Sequence, residues 1–205
     1  MGILLSIHIL AGTIALLCAA LAISFEKGKK FHVLSGRTYF WSMVGIFLTA
    51  IPMSIINSNL FLVLIAIFSF YLAFAGMRFA KNRKSIATTI DWIAVSLMFL
   101  SGLGMWALAV IYFINDNSQY ITLFVFGFIA LAIGYGDYGS HKNKAGIGKQ
   151  RIAKHLTNMM AGTIAVVTAV LVVNVNIEPI WIWWLLPTAV ITPIIFYWNK
   201  KTLSS

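Results

Sequence analysis

Four histidines and five acids carry most of the metal-binding and proton-carrying capacity of this chain. Three of the histidines, His32, His141 and His155, and two of the acids, Asp91 and Asp137, sit where long apolar runs meet lysine and arginine, with Arg37 just beyond His32. Two imidazoles at matched depth on different helices, with cations for the propionates, are what a b-type haem needs in a helical bundle. His32 and His155 satisfy that pattern, with Arg37, Lys29 or Lys154 as propionate partners. The wider set of His32, His155, His141, Asp91 and Asp137 also has enough nitrogen and oxygen donors for a divalent metal such as zinc, structural or hydrolytic.

Two further readings use the same residues. In one they anchor the chain at an interface and pair their charges, for example Arg37 with Asp91 or Asp137. In the other they line a transport pathway, with Asp91 and His155 carrying protons or coordinating substrate. His8 stands apart in the outer half of the first apolar run, more than about 20 Å from the others along a straight helix. No histidine pair has HxxxH or HExxH spacing. The loop KNKAGIGKQR does not match a phosphate loop, and no GxSxG elbow is present. The last apolar run has no lysine before Lys200 to hold a retinal.

The elements that must position these residues follow from composition. Hydrophobic residues make up 60% of the 205, charged residues 10%, and the mean hydropathy is +0.91. A water-soluble fold of this size lacks the polar cover for so much apolar surface, so a bilayer must take it up. Runs that are apolar on all sides predict helices rather than barrel strands. The expected fold is all-α, one domain of seven transmembrane helices over roughly 3–25, 35–56, 60–79, 87–114, 120–137, 153–175 and 179–198.

The breaks between these runs alternate in charge. FEKGKKFH, RFAKNRKS, SHKNKAGIGKQRIAKH and the tail NKKTLSS, with Arg37 beside the first, hold all 15 lysines and arginines, and NSN, NDNSQY and NVNIEP hold none. Positive loops stay inside, which predicts an outer N-terminus, a cytoplasmic C-terminus and residence in the cell's inner membrane. The net charge of +10 then faces anionic headgroups and gives no reason to expect nucleic acid. The first run has no basic residue before Lys27 and is too long for a signal peptide, so it reads as a retained helix. Cys18 within it reads as a small apolar side chain. Tryptophans near both boundaries read as an interfacial belt, and Pro187 and Pro193 as kinks in the last helix. AGTIA at 11–15 and again at 161–165 reads as close helix packing or as an inverted repeat.

HILAGTIALL, GKKFHVLSGRTYFWSM and KHLTNMMAGTIAVVTAVLVVN together resemble a bacterial family of multi-pass membrane proteins of unknown function. The matching features are His8 in helix one, Lys29, His32, Gly36, Arg37 and Tyr39 opening helix two, and His155 with Met159 in a later helix. The resemblance implies a helical membrane protein and singles out His8, His32, Arg37 and His155. It supplies no reaction.

The residues therefore point to a membrane protein that binds haem or a metal ion at its cytoplasmic side, with a soluble electron donor as partner. Asp91 or Asp137 would orient an imidazole. A non-enzymatic membrane component or small transporter, and a membrane zinc hydrolase, stay open beside it.

Overall fold

The computed structural model describes residues 2–204. They form seven helices: α1 (Gly2–Ser24), α2 (Lys30–Ile56), α3 (Leu60–Lys81), α4 (Thr89–Ile114), α5 (Tyr120–Lys142), α6 (Gly148–Asn174) and α7 (Ile180–Ser204). All seven are long and apolar enough to cross a membrane.

Five of the seven helices outrun their apolar segments at the basic end, while α1 and α4 fall short there by one and two residues. α2 begins at Lys30 rather than 35, α5 runs to Lys142 rather than 137, α6 starts at Gly148 rather than 153, and α7 continues to Ser204. Hydropathy marks where hydrocarbon contact ends, whereas a helix satisfies its own backbone in either solvent, and lysine and arginine are good helix formers. Asp137 therefore lies within α5, more than one turn from its end, His141 lies in the last turn of that helix, and His155 lies two turns inside α6. α7 is continuous through Pro187 and Pro193.

Contacts divide the chain into two compact units, with the division inside α3 between Ala66 and Ile67. In the first, α1 packs along α2, and Ala15 and Ala19 of α1 are buried. Gly12 is not a contact glycine, since a Cβ there would meet nothing within 4 Å. The AGTIA copy on α1 thus keeps its alanine, but not its glycine, in the packing. In the second unit α4 packs on α5 and α6 on α7. Small residues set the α4–α5 spacing, because a Cβ on Gly127 would lie 2.5 Å from the Trp106 ring and one on Gly102 would lie 3.0 Å from Leu131. The loop after α3 is tied to the loop after α5 by the Gly146 N–H donating to Ser85 Oγ at 2.9 Å.

Candidate functional site

The polar residues of the second unit gather on the C-terminal half of α3. Asp137 of α5 is fully buried. Its Oδ1 accepts from the Lys154 ammonium of α6 at 2.9 Å. Its Oδ2 accepts from the Tyr71 hydroxyl of α3 at 2.9 Å and from the Asn158 amide at 3.2 Å. A Cβ on Gly136, the residue before Asp137, would sit 2.9 Å from Lys154 Nζ, the mobile end of that side chain. The Asn158 amide nitrogen also donates to the Lys154 carbonyl at 3.1 Å. Two acceptors on that nitrogen fix the amide's orientation and leave Asn158 Oδ1 buried with no hydrogen-bond partner among the described residues.

Asp91 is held in the first turn of α4. Arg78 of α3 grips it side-on, Nε to Oδ1 at 2.6 Å and Nη2 to Oδ2 at 2.7 Å. The Thr88 N–H and hydroxyl, each 2.8 Å away, complete Oδ2. The carboxylate caps its own helix and closes the α3–α4 turn at once. One and two residues beyond Arg78 along α3, the Phe79 and Ala80 carbonyls accept from the Arg151 guanidinium of α6 at 3.2 and 2.6 Å. These belong to the last carbonyls of α3, which have no partner within the helix.

His141 is buried between rings. It stacks on Phe79 with centroids 5.2 Å apart and planes 4° apart, and meets Trp92 edge-on at 5.8 Å. His155 points its Nδ1 at the Gly76 carbonyl, 2.9 Å away. Gly76 permits the close approach of α6, because a Cβ there would lie 2.7 Å from Met159. Tyr71, Gly76, Arg78 and Phe79 of α3 thus receive Asp137, His155, Asp91 and His141 in turn.

In the first unit His32 Nδ1 meets the Ala22 carbonyl at 2.9 Å, and His8 Nδ1 meets Thr49 Oγ1 at 2.9 Å. The Thr49 hydroxyl lies within reach of the Gly45 and Ile46 carbonyls at 2.8 and 3.0 Å, so its oxygen accepts from His8. A carbonyl can only accept, which fixes His32 and His155 with the proton on Nδ1 in their neutral forms. Lys27, in the α1–α2 turn, donates to the Ala22 and Phe25 carbonyls at 3.0 and 3.3 Å, and burial holds its ammonium below the ordinary lysine value.

The carboxylates take their cations from α3 and α6, not from Arg37. Lys154, expected beside a propionate, is the partner of Asp137. Arg37 lies exposed on α2 with no ion pair among the described residues. Of the expected ligand set, Asp91, Asp137, His141 and His155 belong to the second unit and His32 to the first, which also holds His8. Among the described residues no group of three or more His, Cys, Asp or Glu side chains is placed to hold a metal ion.

The sequence expectations passed over α3, counting Arg78 only as a topology charge and Lys154 as a topology charge or a propionate partner. Hairpin arithmetic was the available signal. Arg78 stands three residues before the end of α3 and Asp91 two after the start of α4, and Asp137 and Lys154 flank the α5–α6 turn at five and six residues, so each pair is matched to within one residue. Comparison of the chain with family models, curated proteins and solved structures finds no match.

Proposed function

We propose that this chain is a non-enzymatic small transporter of the cytoplasmic membrane, with its N-terminus outside, whose charged centre is Asp137 with Lys154. The observation that carries the reading is Asn158 Oδ1, a buried acceptor with no donor among the described residues, beside a buried carboxylate. Ionisable groups within membrane helices are costly and usually mark ion or proton pathways. A site with one acceptor in excess favours a proton or a small monovalent cation as its occupant.

Lys154 is suited to be the displaceable partner. Its side chain is 26% exposed against 1% for that of Asp137, so it can swing outward while the carboxylate stays buried. Asp137 and Asn158 Oδ1 then offer oxygens to the incoming cation. The distribution of charge supports the orientation, since every lysine and arginine lies in the tail or in or within two turns of the α1–α2, α3–α4 and α5–α6 connections.

The test is flux in liposomes holding the purified protein, with proton, sodium, potassium and ammonium offered in turn. The wild type is expected to move one of them and the Asp137→Asn protein none. Equal flux from both proteins, or none from the wild type, removes the reading.

A second reading, a membrane b-type cytochrome fed by a soluble donor, draws on the imidazoles. With Nδ1–H donated to oxygen at His8, His32 and His155, the neutral ring carries its lone pair on Nε2, the tautomer that axial ligation uses. A Soret band that disappears in His32→Ala and His155→Ala would favour it over the transporter.

A further inference from the structure

The cations at the α1–α2 corner fall into two groups. Lys27 closes the end of α1 by donating to the Ala22 and Phe25 carbonyls at 3.0 and 3.3 Å, and Lys29 pairs with Glu26 at 3.7 Å. The other two, Lys30 and Arg37, have neither a hydrogen bond nor an ion pair to any other described side chain. Both line one open cavity of about 350 Å³, with Gly28, Val33 and Leu34 as its remaining wall. Lys30 and Arg37 are two turns apart, which puts them on one face of the helix about 10 Å from each other along its axis. Val33 and Leu34 lie between them and are exposed.

We propose that this cavity is a binding site for the headgroup of one anionic phospholipid. The phosphate lies between the Lys30 ammonium and the Arg37 guanidinium, whose planar fork matches two phosphate oxygens. The acyl chains run over Val33 and Leu34, an apolar surface that a free phosphate would leave uncovered. Arg37 lies deeper along a helix apolar enough to cross a membrane, the level at which basic side chains snorkel toward headgroups. Gly28 forms the rim and serves the turn, with φ at +80°, rather than a close contact.

The test uses the full-length protein in phosphatidylcholine nanodiscs with added phosphatidylglycerol, with the retained lipid read by native mass spectrometry and its affinity by fluorescent-lipid titration. Wild-type protein is expected to retain phosphatidylglycerol in preference to phosphatidylcholine. Lys30→Gln with Arg37→Gln should weaken it by about thirtyfold, the combined pull of two basic side chains on anionic lipid. Lys81→Gln with Lys84→Gln removes the same charge from another basic segment and should leave the affinity unchanged. All four residues are exposed, so matching circular dichroism is expected across the set. Equal weakening in both double variants would mean a diffuse charge effect and overturn the site, as would no weakening in either. Displacement of the lipid by inorganic phosphate would assign the cavity to a free anion and overturn the lipid assignment.

Discussion

Arg78 and Asp91 form a bidentate pair across the α3–α4 turn, with both nitrogens within 2.7 Å of the carboxylate. The Asp91 side chain is 1% exposed and that of Arg78 24%. Removing one partner of a buried pair strands the other charge, at a cost of about 3–5 kcal/mol. Arg78→Gln should therefore melt well below the wild type in detergent. Arg78→Lys should fall between them, because an ammonium cannot make the side-on contact. An unchanged melting temperature in Arg78→Gln would show that the pair contributes nothing.

The Asp137–Lys154 pair makes a different prediction, because its members are coupled. Lys154→Met leaves a buried, uncompensated carboxylate and should destabilise by about 3 kcal/mol or more. Adding Asp137→Asn should restore most of that loss. A double-mutant cycle on thermal or denaturant stability reads the coupling directly, and additive effects would mean the two side chains act independently.

Gly76 is a steric prediction. A Cβ there would lie 2.7 Å from Met159 Cγ and Sδ and 3.1 Å from the Met159 backbone nitrogen. The methionine side chain can move but the backbone cannot. Gly76→Ala should cost about 1–3 kcal/mol, and Met159→Ala in that background should recover only part. Full recovery would place the whole conflict in the side chain.

Much of the fold was legible because hydropathy acts on whole segments. Seven apolar runs gave seven helices, and the three loops without lysine or arginine are where α2–α3, α4–α5 and α6–α7 turn. Helix ends were less legible at the basic side, where helix and hydrocarbon stop at different residues. Within the site, Asp91, Asp137, His141 and His155 stood out by type. Their partners did not, because Tyr71, Gly76 and Phe79 are unremarkable in an apolar run. The pairing of Arg78 and Lys154 depends on which residues face each other across a turn, which composition does not encode. By charge alone Arg37 is a natural partner for either acid, yet the observed partners are Arg78 and Lys154, each across its own hairpin.

The orientation is testable by labelling. In a Cys18→Ser background, single cysteines replacing Lys84 and Lys144 should react with a membrane-impermeant maleimide only after the cytoplasmic face is opened. A cysteine replacing Asn117 should react in intact cells. The reverse pattern would invert the topology, and labelling of Lys84 and Lys144 from opposite sides would mean an odd number of crossings between them, so that α4 and α5 do not both span.

The central claim, that Asp137 with Lys154 and Asn158 is a working cation site, is tested most directly by proton flux into dye-loaded proteoliposomes under an imposed membrane potential, with sodium, potassium and ammonium run in parallel. Wild-type protein is predicted to carry one of these cations, with Asp137→Asn abolishing the flux while leaving the protein folded. Flux that survives Asp137→Asn, or a folded wild type that carries none of the four, would contradict the account and leave the buried pair a structural contact.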